Sequence, residues 1–221
     1  MKTKLSLISL AVALLSSNIA QAKSNSGNPD WIVRGRALYV QPDTKGKTST
    51  LGGNIAASSA QVPEIDITKF IAPNLALELI AATTKHDISL RGSPLAGSST
   101  DLGTVKLLPP TLTLQYHANP TGTFRPYAGA GLNYTFFYGS KAQGGNSMTK
   151  VNYQDHLGYA LQAGFDYMID EKVGINFDIK KIFLKTRATV TDNANNHYKA
   201  NVRLDPWLIG AGISYHISYH F

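Results

Sequence analysis

VRLDPWLIGAGISYHISYHF, residues 202–221, alternates so regularly from Trp207 that it sets the architecture expected for the whole chain. From Trp207 the odd-numbered positions are apolar or aromatic, and from Gly210 the even-numbered positions are small or polar. This period of two predicts a β-strand with one apolar and one polar face. The strand ends on Phe221, where an unpaired apolar edge would fray or aggregate. We therefore expect it to close a barrel whose outer face meets lipid.

The N-terminus has the three parts of a secretory signal peptide. Lys2 and Lys4 supply positive charge, residues 5–15 are an apolar run too short to span a bilayer, and residues 20–22 read Ala-Gln-Ala. The sequence therefore predicts a signal peptide at 1–22 and a polar periplasmic leader at 23–30, with a short N-terminal anchor as the alternative. Residues 31–221 are enough for one domain, the barrel.

Charge and cysteine content narrow the function classes. The formal net charge is +7, and it falls to +5 once residues 1–22, with two lysines and no acidic residue, are removed. That value is too small to indicate a nucleic-acid partner. The chain has no cysteine, so an exported protein of this sequence must close its fold through hydrogen bonds and lipid contact.

Seven further stretches alternate like the C-terminal one, which gives eight predicted strands. They are residues 31–40, 64–71, 75–84, 111–117, 127–138, 156–169 and a stretch from 173 onward. Arg34 and Arg36 share a face of the first strand, and a lipid-facing arginine near the bilayer midplane costs about 2–4 kcal/mol. Both arginines are therefore expected in the lumen. The same face of the other strands carries Asp66, Glu78, Asp166, Asp178 and Lys180.

The connections alternate in length. Residues 41–63, 85–108 and 139–155 are predicted as long loops, whereas 72–74 and 170–172 are tight turns, as in outer-membrane barrels with long outer loops and short periplasmic turns. The phase breaks at Lys181, which predicts either a bulge or a position level with the headgroups. Aromatic residues near strand ends match the girdles of such barrels: Trp31, Tyr39, Tyr127, Tyr138, Tyr167, Trp207, Tyr219 and Phe221.

The predicted fold class is all-β, an eight-stranded antiparallel transmembrane β-barrel, integral to the outer membrane of a Gram-negative cell. Alternation alone does not say which face is outside. A soluble eight-stranded carrier, with its apolar face inside and its charges outside, is therefore the alternative.

Four segments of the chain resemble the OmpW family of small outer-membrane proteins. They are LLPPTLTLQYH at 107–117, FRPYAGAGLNYTFF at 124–137, LGYALQAGFDYMID at 157–170 and VRLDPW at 202–207. The likeness covers residues 31–221 in the order of the family. It implies a barrel with a narrow hydrophobic channel for passive uptake of small hydrophobic molecules, with release through a lateral opening into the outer leaflet.

The resemblance also implies a constriction in this channel. Carried over through ELIAATTK at 78–85 and NFDIKKIF at 176–183, Ile80 lies at the constriction, with Lys180 and Ile182 on the facing strand. Some relatives have a tryptophan where this chain has Lys180, so the constriction here is not strictly apolar. Pro109 and Pro110 lack ladder donors and either permit a lateral opening in the wall or simply end a loop.

The inward charges define the function hypotheses. Arg34, Arg36, Glu78 and Asp178 can pair with one another and with Lys180 across the lumen, which blocks water and ions below an apolar entrance. The pairs either divert an apolar solute sideways or merely satisfy one another inside a solid barrel. A structural or receptor-type barrel without transport is therefore the alternative to a channel.

Catalysis and metal binding have weaker signals. Ser214, His216, Ser218 and His220 share one face, but no inward acid of that strand orients the histidines and no nucleophile motif is present. His216 and His220 are roughly 13 Å apart along a strand, too far for one ion. We predict no catalytic residue, metal or cofactor, and a lipid-modifying enzyme is the third hypothesis.

The predicted partners are those of an outer-membrane protein. Lipid surrounds the barrel, a small hydrophobic solute is its cargo, and the C-terminal strand ending in Phe221 is read by the barrel-assembly machinery. Lipopolysaccharide phosphates attract loop cations. The loop cations are Lys45, Lys47, Lys85, Arg91, Lys106, Lys141 and Lys150.

Overall fold

The computed structural model describes residues 30–43, 54–93, 97–142, 148–153, 155–192 and 197–218, and in these ranges every regular element is a β-strand. The fourteen strands are β1 (Trp31–Gln41), β2 (Asn54–Ala57), β3 (Ala60–Ala72), β4 (Leu75–Ala82), β5 (Thr84–Ser93), β6 (Gly97–Leu108), β7 (Thr111–His117), β8 (Phe124–Ala142), β9 (Met148–Tyr153), β10 (His156–Met168), β11 (Val173–Phe183), β12 (Lys185–Asp192), β13 (His197–Arg203) and β14 (Trp207–Ile217). No helix long and apolar enough to cross a membrane occurs in the described ranges. The predicted signal peptide, residues 23–29 of the leader, and Phe221 lie outside them.

Eight of the strands close a barrel. Its order is β1, β3, β4, β7, β8, β10, β11 and β14, every pair is antiparallel, and β14 returns to β1. The closing pair joins Trp31–Gln41 to the whole of β14 without a register shift. Closure leaves no free edge along this part of the wall. The predicted eight-stranded antiparallel barrel is thus confirmed, and five of its strands (β1, β4, β7, β10 and β11) begin at the predicted residues.

The prediction that the long connections are loops was wrong. Residues 85–108 belong largely to β5 and β6, which continue β4 and β7 as one long hairpin; β2 pairs with β5, and β3 begins at Ala60 rather than at 64. In the third connection β8 extends to Ala142 and is followed by β9, which pairs with β12. The apolar positions of these extensions are interspersed with Gly, Ser, Thr and charges, a composition that is also typical of loops.

Alternate side chains point into and away from the barrel, with the charges inside. Arg34 is 0% exposed, whereas Ile65 and Ile213 on neighbouring outward positions are 61% and 62% exposed. Leucine, isoleucine and tyrosine side chains cover the remaining outer wall. A continuous apolar exterior around a charged interior fits hydrocarbon outside. The soluble carrier, which needs the opposite arrangement, is excluded.

One girdle prediction is corrected by the structure. Tyr127, predicted for a girdle, is only 4% exposed, because it has the same parity as Gly129 and Gly131 and faces the lumen. Phe136, which has the parity of the outward Leu132, is nevertheless buried and packs against Tyr134 with ring centroids 4.8 Å apart. Other girdle aromatics are exposed as predicted: Tyr39, Tyr138, Tyr167 and Trp207.

Lys181 breaks the alternation of β11 but causes no bulge. The pairing of β11 with β10 and β14 continues through Lys181 without a shift. Its Nζ atom lies 4.7 Å from the centre of the Trp207 ring and donates a hydrogen bond to the carbonyl of Asp205. The bulge is therefore excluded, and a position level with the headgroups stays a prediction.

Candidate functional site, an apolar pocket above a charged cluster

The middle of the lumen is filled by eight ionisable side chains, which we call the charged cluster. Each is at most 4% exposed. They converge because every one occupies an inward position on its strand, and five different strands contribute. The members are Arg34, Arg36, Glu64, Asp66, Glu78, Asp166, Asp178 and Lys180.

Arg34 spans the lower part of the charged cluster. Its Nε and Nη2 donate to the two carboxylate oxygens of Asp166 at 3.2 and 2.8 Å, a bidentate pair. Its Nη1 donates to Asp66 at 3.3 Å and to Thr68 at 2.8 Å. The guanidinium carbon also lies 4.9 Å from the centre of the Tyr127 ring, a cation–π distance. Arg34 therefore joins β1 to β10 across the lumen.

Arg36 and Lys180 organise the upper part of the cluster. Arg36 Nε donates to Glu64 Oε1 at 2.8 Å, and its Nη2 donates to Asp66 and, at 3.3 Å, to Glu78. Lys180 Nζ donates to the same Glu64 Oε1 at 2.8 Å and lies 3.0 Å from Asp178 Oδ1. These contacts connect strands on opposite sides of the barrel, so the lumen is closed at this level.

Neutral polar side chains fill the remaining space around the cluster. Tyr127 and Gln162 both donate to Asp178 Oδ2, at 2.9 and 2.8 Å. Gly164 makes room for the tyrosine, because a Cβ there would lie 2.6 Å from the Tyr127 hydroxyl and 2.5 Å from the carbonyl of Phe177. Such a network satisfies buried polar groups and leaves no wide aqueous path between them.

An apolar pocket lies above the charged cluster. Its volume is about 70 Å³, which is roughly half that of an engineered apolar cavity of about 150 Å³ that binds benzene. Its polar floor consists of Glu64, Lys180, Thr111 and Thr135. The predicted constriction residues Ile80, Lys180 and Ile182 all line it. Further apolar lining comes from Leu38, Val40, Ile88, Val105, Leu107, Leu184 and Leu208.

His86 contributes a polar atom to the upper wall of the pocket. It lies on β5 next to Lys85, whose partner Lys106 pairs in turn with Tyr138 on β8. Its Nδ1 is 2.7 Å from the carbonyl oxygen of Ser58. Burial lowers the pKa of the His86 imidazole, although the Ser58 contact acts in the opposite direction. The side chain is therefore neutral at pH 7 and compatible with an apolar pocket.

The two prolines coincide with an interruption in the wall. The β4 and β7 ladder ends at the pair Ile80 and Thr111, and the β5 and β6 ladder begins at Thr84 and Leu107. Residues 81–83 and 108–110, all described, form no ladder pairs with each other. On the opposite edge the Pro110 carbonyl accepts a hydrogen bond from the Tyr134 amide at 3.0 Å. The interruption therefore lies on the β4 side of the prolines.

The periplasmic end of the lumen holds the histidine and serine singled out for catalysis. Arg125 Nη1 lies 3.0 Å from His216 Nδ1, and His216 Nε2 lies 3.2 Å from Ser214 Oγ and 3.9 Å from Asp166. In a serine triad the hydroxyl and the acid contact opposite nitrogens of the imidazole, but here both contact Nε2. His220 lies outside the described residues. Within the ranges that the structure describes, no three His, Cys, Asp or Glu side chains are grouped to hold a metal.

Sequence reasoning placed the charges but missed much of the site. It located Arg34, Arg36, Glu78, Asp178 and Lys180 in the lumen, where the structure brings them together. It did not single out Tyr127 or Gln162, which complete the network, or Glu64, which forms the pocket floor. Strand parity alone would have identified all three as inward-facing.

A closed antiparallel barrel with an apolar, aromatic-bounded exterior and a charged interior is an integral outer-membrane β-barrel. The comparison with protein families identifies which one. The OmpW family model matches residues 27–217, and the chain belongs to the OmpW family.

Similar proteins extend over nearly the whole chain. An outer-membrane protein of Sinorhizobium fredii named y4mB, itself described as uncharacterized, is 40% identical over 93% of this chain and 88% of its own length. Outer membrane protein W of Vibrio cholerae is 34% identical over 81% of this chain and 84% of its own. The crystal structure of the outer membrane protein OprG from Pseudomonas aeruginosa superposes with a TM-score of 0.79 at 28% identity, covering 87% of this chain and 97% of that one.

Proposed function

We propose that this barrel is a passive channel for small hydrophobic molecules, which enter the apolar pocket from the outer side and leave sideways into the membrane. One observation supports this proposal above the others: the apolar pocket rests directly on a closed floor of paired charges. An apolar solute gains contacts in the pocket, whereas stripping water from the charged cluster to pass straight through would be unfavourable.

The small volume of the pocket means that a solute must displace side chains to pass. A cavity of about 70 Å³ is smaller than an engineered cavity that binds benzene, so passage of a solute of that size requires movement of the lining. The proposal therefore needs only local movement above the charged cluster, and the charged cluster itself stays closed.

The exit proposed for the solute is the wall beside Pro109 and Pro110. Pro109 lines the pocket, and the ladder facing it is interrupted at residues 81–83. Thr83 bridges this interruption through a 3.4 Å hydrogen bond to the carbonyl of Leu107 and a 2.5 Å contact with the Tyr138 hydroxyl. Two side-chain contacts open more easily than a continuous ladder, which favours this place for a lateral opening.

The proposed channel is tested by measuring uptake of an apolar solute into proteoliposomes that contain either the wild-type barrel or the Ile80→Lys variant. Lysine at this position would place a charge among the pocket side chains, so the uptake rate is expected to fall at least to half of the wild-type rate. Ile80→Leu keeps the volume and the apolar character and serves as the matched control. Unchanged uptake by Ile80→Lys would contradict the channel.

A structural or receptor-type barrel without transport is the second candidate, because ion pairs across the cluster close the lumen. It predicts no uptake above that of empty vesicles, even for the wild type. The third hypothesis, a lipid-modifying enzyme, predicts cleaved or acylated lipid in the same vesicles. The arrangement of Ser214 and His216 gives it no support.

Further partners are proposed on the basis of the membrane setting. Lys85 and Lys106 are exposed on adjacent extracellular strands, where lipopolysaccharide phosphates are expected; Lys45 and Lys47 lie outside the described residues. Recognition of a C-terminal strand by the assembly machinery rests on Phe221, also outside them.

A further inference from the structure

We propose that the floor of the apolar pocket selects the head group of the solute, accepting a primary ammonium and rejecting a carboxylate. The preferred solute class is then a short amphipathic amine. This inference rests on the proposed channel and adds the chemistry of its cargo. Two observations support it: the excess of carboxylates in the charged cluster, and the hydrogen-bond acceptors on the floor of the pocket.

The charged cluster contains more carboxylates than cations. Within the described part of the chain, the ion pairs of its carboxylates end on three cations, Arg34, Arg36 and Lys180, apart from one 3.9 Å contact of Asp166 with His216. A fully ionised cluster has a net charge of −2, counting three cations against five acids. The carboxylates are Glu64, Asp66, Glu78, Asp166 and Asp178.

The cations of the cluster have no strong tendency to bind a further anion. Lys180, the cation that reaches the pocket, already contacts Glu64 at 2.8 Å and Asp178 at 3.0 Å. Arg36 forms ion pairs with four carboxylates, Glu64, Asp66, Glu78 and Asp178. A solute carboxylate arriving from the pocket would have to compete with five fixed ones.

Apart from the Lys180 ammonium, which already contacts two carboxylates, the polar atoms of the floor act as hydrogen-bond acceptors. Among the described residues, both side-chain hydrogen bonds to Glu64 end on Oε1, so Oε2 retains its capacity to accept. The Thr111 hydroxyl donates a hydrogen bond to the carbonyl of Pro109 at 3.1 Å, and the Thr135 hydroxyl donates one to Asn133 Oδ1 at 2.7 Å. Both hydroxyls therefore offer only lone pairs to the pocket.

An ammonium group complements this floor. It carries three donors and one positive charge, so it can bind the free acceptors and reduce the net charge of the cluster. A carboxylate carries no donor, adds a further negative charge, and would be buried without a partner, which is unfavourable. An alcohol lies between the two, because it can donate one hydrogen bond without changing the charge.

The test is binding of hexan-1-amine, hexan-1-ol and hexanoate at pH 7 to the full barrel in lipid nanodiscs. Methyl resonances of Ile80, Ile182 and Leu208 report occupancy of the pocket itself and distinguish it from partition into the lipid. The amine is expected to bind at least about tenfold more tightly than hexanoate. Glu64→Gln, which removes one carboxylate while keeping its shape, is expected to reduce that ratio to less than about threefold.

The outcomes separate this inference from the channel itself. If none of the three compounds shifts the pocket methyl resonances, the apolar pocket is not a solute site and the proposed function fails. If hexan-1-ol binds but hexanoate binds as tightly as the amine, the pocket stands and the head-group inference is overturned. The comparison of ligands on the wild type decides this even if Glu64→Gln fails to fold.

Discussion

Replacing Arg34 by methionine should destabilise the barrel strongly, because it leaves a buried carboxylate without its main cationic partner. The side chain is fully buried and makes a bidentate pair with Asp166, together with hydrogen bonds to Asp66 and Thr68. Without it, Asp166 keeps a 2.9 Å hydrogen bond from Asn176 but loses its strongest cationic partner. Leaving a buried charge uncompensated typically costs about 3–5 kcal/mol, and we expect the free energy of unfolding to fall by that amount.

The assay is urea unfolding in phospholipid vesicles, followed by fluorescence of the two tryptophans of the chain, Trp31 and Trp207. The matched control combines Arg34→Met with Asp166→Asn, because removing both charges leaves no orphan. The double variant should lose at least about 1 kcal/mol less than the sum of the two single losses. A loss below about 1 kcal/mol for Arg34→Met, or strict additivity in the double variant, would refute the reasoning.

Further predictions concern the lipid face, the packing of the lumen and a periplasmic turn. Ile213→Arg, at mid-wall, should lower the free energy of unfolding in vesicles by about 2–4 kcal/mol, whereas Ile169→Arg, at the end of the wall, should lower it by at most about 1 kcal/mol; equal losses would contradict the assigned depth. In the same assay Gly164→Ala, whose Cβ would be crowded, should lower the free energy of unfolding by about 1–3 kcal/mol. Gly35→Ala, whose Cβ would meet open space, should change it by at most about 0.5 kcal/mol. A larger loss for Gly35→Ala than for Gly164→Ala would contradict the close packing at Gly164. Two backbone N–H groups hold the pKa of Asp170 below its usual 3.8, so its contribution to stability is present above that value and lost as the pH falls through the lower folded pKa. Asp170→Asn should therefore flatten the acid side of a plot of Tm against pH. A wild-type slope in that variant would contradict the stabilisation of the Asp170 carboxylate by the two backbone N–H groups.

The features that sequence could predict are those that a single strong energy term decides. Placing Arg34 and Arg36 in hydrocarbon is so unfavourable that the face of β1 carrying them can be predicted to point inward. The charged face of each other strand could then be predicted to point inward in the same way. The closing partner of β1 could be predicted because the C-terminal strand alternates almost without exception from Trp207. Register and pairing partners then follow largely from closure.

The features that sequence could not predict depend on small differences. Ile88, Val105 and Leu107 line the apolar pocket from a segment whose glycines, serines and charges are typical of a loop. Tyr127 was assigned to a girdle because it lies near a strand end, although its parity faces the lumen. The pairing of each acid with a cation depends on distances across the barrel. The sequence pattern of a single strand does not determine these distances.

In the proposed channel an apolar solute stops above the charged cluster, and heavy-atom labelling tests this directly. Crystals of the barrel soaked with 1-bromobutane would locate the bromine by anomalous scattering. We predict a bromine site inside the apolar pocket, in contact with Leu38, Ile80 and Leu208. Bromine among Arg34, Asp66 and Asp166 below the floor, or bromine only on the outer wall, would contradict the account.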